Sequence, residues 1–178
     1  GTPTMGGALI LGALVVSTLL WARLDNMHIW VVLCVTIGFG AIGFADDYAK
    51  VSKQTAAGVS GKLRLGLGFI IALIASCAAV QLHPDGLSAQ VAVPILKDAL
   101  VPFGILFFPF AMIVIVGSAN AVNLTDGLDG LAIMPVMIAA AALGVLAYAV
   151  GRVDFTQYLD VHYVPGTGEL FVFCMALI

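Results

Sequence analysis

Charged residues are scarce in this chain, and their scarcity limits the class of protein it can belong to. Of its 178 residues, 10% are charged and 62% are hydrophobic, and the mean hydropathy is +1.13. Soluble domains carry about 25% charged residues, so the composition excludes an ordinary soluble domain and indicates an integral membrane protein. Seven basic and ten acidic residues also give too mild a charge balance to predict a nucleic-acid partner.

Cysteine is rare as well, and its pattern points to no chemistry. Each of the three cysteines, Cys34, Cys77 and Cys174, lies within an apolar run. Their spacing fits neither a disulfide framework nor a zinc site. We expect them to be small, buried apolar residues.

An initiating methionine and a signal peptide are both missing. The chain begins at Gly1 and stops at Ile178 within an apolar run. We therefore expect a fragment of a longer protein, in which residues 1–178 form a single integral membrane domain.

Apolar sequence, in contrast, is abundant. The long apolar runs predict an all-α fold, a polytopic transmembrane helix bundle with five full spans and the start of a sixth. Pro102 and Pro109 predict a kink in the fourth helix, and a polar loop, Asp46 to Arg64, follows the second. The predicted helices are Gly7–Ala22, His28–Ala45, Leu65–Leu82, Leu100–Ser118, Leu131–Val150 and the incomplete Glu169–Ile178.

The positions of lysine and arginine predict the orientation, because short basic loops stay in the cytoplasm. Four of the seven basic residues lie in loop 46–64, so we expect this loop to be cytoplasmic. Alternation of the helices then places residues 1–6 and the segment 120–130 on the same side. The three histidines fall on or near the outer side, away from the acidic motifs: His28, His83 and His162.

A polar segment from Asn120 to Gly130 interrupts the apolar sequence. Four of its residues recur at every third position: Asn120, Asn123, Asp126 and Asp129. That spacing stacks side chains on one face of a 3₁₀ turn and drifts by about 60° per step on an α-helix. Capping of the next helix would need one aspartate only. Because polar residues between membrane segments are costly unless they bind something, we interpret the segment as functional.

A second acidic pair, Asp46 and Asp47, ends the predicted second helix. Carboxylates there oppose the helix dipole, at a cost of about 0.3–1 kcal/mol each. Pairing with Lys50, one turn on, would offset about 0.2–0.5 kcal/mol. Mg²⁺, which takes one or two carboxylates together with substrate phosphates, explains the pair better. With Asp126 and Asp129 the chain offers four carboxylates at one membrane face, so we favour metal-assisted phosphate chemistry.

Phosphate groups would also find positive charge on this face. Three predicted helices begin there, and each presents free N–H groups and a partial positive charge. Lys62 and Arg64 add full charges at the start of the third helix. Gly6 and Gly7 permit a close backbone approach, although an ordinary helix start explains them equally well.

Three motifs together resemble one family of membrane enzymes. GTPTMGG at residues 1–7, FADDYAK at 44–50 and NAVNLTDGLDGLA at 120–132 are similar to motifs of the bacterial phospho-N-acetylmuramoyl-pentapeptide transferases. These belong to the polyprenyl-phosphate N-acetylhexosamine-1-phosphate transferases. The resemblance covers essentially the whole chain, which would be the middle half of a full member. It implies a ten-helix, multi-pass fold in the bacterial inner membrane, with the active site on the cytoplasmic face.

The resemblance also implies a reaction and its residues. UDP-N-acetylmuramoyl-pentapeptide and undecaprenyl phosphate would give lipid I and UMP, with Mg²⁺ as cofactor. Catalysis would fall to Asp46, Asp47 and Asp129, and metal binding to Asp46, Asp47 and Asp126. The residues expected to bind substrate are Thr2, Thr4, Lys50, Lys62, Arg64, Asn120, Asn123, Asp126 and Gly127. Membrane lipid completes the expected partners, and a homodimer is the oligomeric state to test.

Several alternatives stay open. The family's third acidic motif, FMGDxGS, and its later histidine-rich loop lie outside this chain, so we expect residues 1–178 alone to be inactive. The sequence does not decide whether Lys62 or Arg64 holds phosphate. It also leaves open whether the reaction proceeds by direct attack or through an aspartyl-phosphate intermediate. A UDP-N-acetylglucosamine-1-phosphate transferase of the same superfamily, or a cation-coupled transporter, would also carry acidic residues in membrane helices. An EF-hand is excluded, because DGLDG at 126–130 lacks its ligand alternation and closing glutamate.

Overall fold

The computed structural model describes residues 6–53, 58–93, 99–125 and 131–178, with the side chain of residue 53 excepted. The helices are α1 (Gly6–Trp21), α2 (Met27–Lys53), α3 (Gly61–Leu82), α4 (Phe107–Thr125), α5 (Ile133–Val150), α6 (Val153–Leu159) and α7 (Leu170–Ala176). The strands are β1 (Gln90–Ala92) and β2 (Leu100–Pro102), and 3₁₀ turns cover Gly104–Leu106 and Thr167–Glu169.

Among the described residues, four segments are long and apolar enough to cross a membrane: Met27–Ser52, Gly61–Leu82, Gly104–Thr125 and Ile133–Val150. The described part of α1 has 16 residues, which is short of the roughly 20 that span a bilayer. Many large apolar side chains on these helices are exposed, such as Ile74 and Ile138, whereas the buried positions include Ala72 and Ala140. An apolar exterior, with small residues among the buried positions, is typical of membrane helices. The predicted all-α, polytopic fold is confirmed.

The helices pack side by side in the order α4, α3, α2, α1, α7 and α5, and α7 also touches α2. Glycine permits a close contact in this row, because a Cβ at Gly40 of α2 would lie 2.6 Å from Leu11 Cδ2 of α1. Small residues therefore allow close helix packing here, as is typical of membrane helices. It brings the end of α2 next to the starts of α1 and α3, and this is where the acidic pair lies.

The second helix is longer than predicted: it does not end at Ala45 but continues to Lys53. Asp46, Asp47 and Lys50 therefore lie on a helix, and the prediction that they open a loop was wrong. Two features explain the extension. Ala45 and Ala49 favour the helix, and the ammonium of Lys50 pairs with the carboxylate of Asp46 across one turn.

The fourth helix begins later and ends later than predicted. Residues 100–102 form β2, which pairs antiparallel with β1 so that Val91 faces Val101. Pro102 therefore ends a strand, and Pro109 lies in the first turn of α4, where a missing N–H costs little. Neither proline interrupts a helix interior, so the predicted kink loses its basis. The helix continues past Ser118 to Thr125 and carries the first half of the polar segment.

The cysteine prediction was wrong for two of three residues. Cys34 and Cys77 are exposed on the surface of the chain, and Cys174 is half-buried. Membrane helices are apolar on their outward as well as their inward faces, so an apolar run does not show which face a residue occupies.

Candidate functional site

A cavity of about 320 Å³ opens between α2, α3 and α4, where α2 ends and α3 begins. Its polar lining comes from three helices that the sequence alone could not place relative to one another. The lining residues are Phe39, Ile42, Gly43, Asp46, Asp47, Lys50, Arg64, Gly68, Val116, Ala119, Asn120 and Asn123. Six of the predicted site residues therefore meet at one place: Asp46, Asp47, Lys50, Arg64, Asn120 and Asn123.

Asp46 is the buried member of the acidic pair, with 7% of its side chain exposed. Its Oδ2 accepts a hydrogen bond from Lys50 Nζ at 2.6 Å and a longer one from Arg64 Nη1 at 3.5 Å. Its Oδ1 accepts the backbone N–H of Val59 at 2.8 Å. Two cations and one backbone amide thus satisfy a carboxylate that burial would otherwise make costly.

Asp47, the next residue, is in a different situation. Its side chain is 56% exposed, and its nearest cation is Lys50, whose Nζ lies 3.7 Å from Oδ1. Adjacent residues on an α-helix point about 100° apart, which separates the two carboxylates. Asp47 lines the cavity and also a neighbouring apolar groove between α1 and α2. Its oxygens can therefore accept a ligand without first losing a strong ion pair.

Arg64, and not Lys62, is the basic residue of α3 that faces the cavity. Both lie in the first turn of α3, but Arg64 reaches Asp46 while Lys62 is exposed to the outside. Residues two apart on a helix point roughly 160° apart, so only one of them can face inward. The first turn of α3 also adds unpaired N–H groups and a partial positive charge beside the acidic pair.

Asn120 and Asn123 contribute the amides of the site. They lie about one turn apart on α4, so their side chains share a face, and both line the cavity. Asn120 Nδ2 donates to the carbonyl of Val116 at 2.8 Å, which fixes the orientation of that side chain. Of the two geometries that the sequence allows for this spacing, the structure shows the α-helix as far as Thr125.

Several predicted site residues lie outside the part of the chain that the structure describes. Their assignments stay predictions: Thr2, Thr4, Asp126, Gly127 and Asp129. Within residues 6–53, 58–93, 99–125 and 131–178, no group of three or more His, Cys, Asp or Glu side chains is arranged to hold a metal ion.

Sequence reasoning missed the backbone of Val59. Its N–H holds the buried carboxylate of Asp46 from 13 residues away. Motifs are recognised by their side chains, so they do not reveal a backbone donor. Val59 follows Gly58 in a loop segment that belongs to none of the motifs. Only the short return of the chain from α2 to α3 brings the two groups together.

The opposite ends of the helices carry a separate polar cluster. Arg152 donates to Asp154 Oδ2 at 2.9 Å, and this bond holds the pKa of that carboxyl below its usual range. The backbone N–H of Arg23 donates to Glu169 Oε2 at 3.2 Å.

None of the three histidines lines the cavity beside Asp46, as the orientation argument predicts: His28, His83 and His162.

Comparison with known proteins agrees with the motifs. The sequence model of glycosyl transferase family 4 matches residues 29–178. A phospho-N-acetylmuramoyl-pentapeptide-transferase from Dinoroseobacter shibae is 69% identical over 178 residues, which are 100% of this chain and 49% of that protein. Proteins of the same name from Ruegeria pomeroyi and Maricaulis maris are 69% and 58% identical, over 99% and 100% of this chain and 49% and 50% of their own lengths. The chain thus spans about half the length of the curated relatives it matches.

Proposed function

Because this chain belongs to glycosyl transferase family 4, we propose that the whole protein transfers phospho-N-acetylmuramoyl-pentapeptide from its UDP carrier to undecaprenyl phosphate. The products would be lipid I and UMP. Relatives named phospho-N-acetylmuramoyl-pentapeptide-transferase match 99–100% of the chain, which agrees with the resemblance drawn from the three motifs. One observation carries the proposal further, namely the meeting of two carboxylates, two cations and two amides at one cavity between α2, α3 and α4.

The two cations suit a reaction between phosphates. A lipid phosphate must approach a charged pyrophosphate, and positive groups have to neutralise that repulsion. Lys50 Nζ has three donors, so it can hold Asp46 and a substrate phosphate at the same time. Arg64 is held more loosely, since its Nη1 is 3.5 Å from Asp46 Oδ2, and its planar guanidinium is free to bind a phosphate with two hydrogen bonds.

Asp46 and Asp47 have different roles in the proposed reaction, and Asp46 is the proposed proton acceptor. As Arg64 turns to the substrate phosphates and Lys50 shares its donors with them, Oδ2 of Asp46 loses part of its hydrogen bonding and can accept the last proton of the lipid phosphate. Oδ1 stays bound to Val59 and keeps the side chain oriented. Both oxygens of Asp46 begin engaged, which favours direct attack by the lipid phosphate over a covalent intermediate on this residue.

The donor set around Asp47 fits Mg²⁺. This ion binds through one or two carboxylates together with substrate phosphates and water, and Asp47 is an accessible carboxylate within the phosphate-binding cavity. Asp46, Asp47 and Asp126 would hold it. When bound, Mg²⁺ would neutralise charge on the pyrophosphate and on the departing UMP.

The amides and the residues outside the described ranges complete the proposed site. Asn120 and Asn123 would donate to the nucleotide from one face of α4. The further assignments, to nucleotide or sugar phosphate, are Thr2, Thr4, Asp126, Gly127 and Asp129, and Lys62 would act only at the outer edge of the site.

The membrane setting is part of the proposal. The family, and the four apolar helices in the described part of the chain, make this a multi-pass membrane protein. We propose the bacterial inner membrane, with the cavity facing the cytoplasm, because four of the seven basic residues lie at the end of α2 and the start of α3: Lys50, Lys53, Lys62 and Arg64. A homodimer is the proposed oligomeric state.

The test is turnover by the full-length protein in bilayers. UDP-N-acetylmuramoyl-pentapeptide and undecaprenyl phosphate should give equal amounts of UMP and lipid I, and chelation of Mg²⁺ should stop both. If UMP is released with UDP-N-acetylglucosamine and undecaprenyl phosphate but not with UDP-N-acetylmuramoyl-pentapeptide, UDP-N-acetylglucosamine would replace the proposed substrate. Cation flux without any UMP release would replace the proposed class of protein by a transporter.

A further inference from the structure

We propose that Gly58 is a positioning residue, required because its missing side chain leaves room for the carboxylate of Asp46 and the ammonium stem of Lys50. The inference rests on the proposed function, since it concerns the same cavity. Gly58 lies between α2 and α3, directly before the Val59 amide that binds Asp46. It belongs to none of the motifs that point to the family.

The space beside Gly58 is already filled by the two functional side chains. A Cβ placed there would collide with Oδ1 of Asp46, and it would lie 2.9 Å from Asp46 Cγ and 2.9 Å from Lys50 Cε. Contacts this short do not occur with real Cβ atoms, so something must move. The atoms in the way are the ends of side chains on α2, and no backbone atom is among the nearest three.

The direction of the movement follows from the hydrogen bonds. Oδ1 is the oxygen that accepts the Val59 N–H, and Oδ2 accepts from Lys50. A methyl group at position 58 pushes Asp46 away from Val59 and pushes Lys50 in the same step. Since the fold needs only a side-chain rotation to relieve the clash, the expected damage is to the geometry of the site and not to the helix packing.

Gly61 supplies a matched control within the same connection. It is the first residue of α3, and a Cβ there meets nothing within 4 Å. Gly58→Ala and Gly61→Ala change the chain by the same methyl group and have similar effects on the unfolded state. A difference between them therefore reports the contact with Asp46 and Lys50.

The first measurement is hydrogen exchange at the Val59 amide in the full-length protein. We expect this amide to exchange at least about tenfold faster in Gly58→Ala, as it should in Asp46→Ala, and at the wild-type rate in Gly61→Ala. This readout needs no substrate, so it stands or falls independently of the proposed function. Wild-type protection of Val59 in Gly58→Ala would overturn the inference.

The second measurement is turnover, with thermal stability as its control. We expect kcat to fall about tenfold or more in Gly58→Ala and to stay within twofold of wild type in Gly61→Ala, with both variants melting near the wild-type temperature. A Gly58→Ala enzyme as active as Gly61→Ala would also overturn the inference. An inactive wild-type enzyme would refute the proposed function and leave the exchange result to decide the role of Gly58.

Discussion

Lys50 Nζ lies 2.6 Å from Asp46 Oδ2 and 3.7 Å from Asp47 Oδ1, so one ammonium joins two adjacent carboxylates. The three residues lie within about one turn of α2, and Arg64 of α3 approaches the same oxygen of Asp46. Asp46 is nearly buried while Asp47 is more than half exposed. The pair therefore offers one carboxylate that organises the cations and one that is open to a ligand.

Replacing Lys50 by glutamine should weaken substrate binding more than it weakens folding. The amide cannot neutralise a phosphate, while Asp46 keeps Val59 and Arg64 as partners. We expect KM for the UDP-linked substrate to rise about tenfold or more, which is about 1.4 kcal/mol of binding. Arg23→Gln, at the opposite ends of the helices, is the matched loss of charge. An unchanged KM in Lys50→Gln would make the ion pair purely structural.

Asp47→Asn should abolish most activity of the full-length protein without unfolding it. The exposed side chain makes no strong contact that the amide would break, but the amide is a poor ligand for Mg²⁺. Steady-state turnover across a range of Mg²⁺ concentrations, with a melting curve beside it, checks this. Activity within about tenfold of wild type, or roughly 1.4 kcal/mol in the barrier, would leave Asp47 a structural role only.

The two basic residues of the first turn of α3 should behave differently. Arg64 faces the cavity and Lys62 does not, so Arg64→Gln should lower kcat/KM at least about tenfold while Lys62→Gln stays within threefold. Both variants lose one positive charge from the same turn, which makes each the control for the other. Equal losses would mean that general surface charge, and not the contact with Asp46, attracts the substrate.

Cysteine labelling should place the ends of α2 and α4 on one side of the membrane. Ser52 lies near the end of α2 and Thr125 ends α4, so Ser52→Cys and Thr125→Cys should react with an impermeant reagent from the same side. Tyr158→Cys, in exposed α6, should react from the other side. The background should lack the native cysteines. Labelling of Ser52→Cys and Thr125→Cys from opposite sides would show that α2 and α4 do not end at a shared cavity.

Residues 1–178 alone should show no transferase activity in detergent or bilayers. The chain spans about half the length of its curated relatives, and large apolar side chains such as Ile74 and Leu143 are exposed on its helices. We expect the isolated segment to associate through these faces, which light scattering can follow. Turnover near the full-length rate would show that the acidic residues of this segment suffice for catalysis.

The sequence by itself determined the class, the family and most of the helix positions. Hydropathy over about 20 residues reports membrane insertion directly, because the cost of polar groups in lipid is large and local. The motifs around Asp46 and Asn120 are equally local, so the resemblance they carry agrees with the comparisons.

Only the tertiary structure decided how the site residues differ from one another. Asp46 and Asp47 look identical in sequence, and it is the return of the chain through Val59 that buries the first and leaves the second open. The face that α3 presents to α2 likewise selects Arg64 over Lys62. These outcomes depend on which face of a helix meets its neighbour. An apolar sequence does not encode that choice strongly, because lipid and protein interior accept the same side chains.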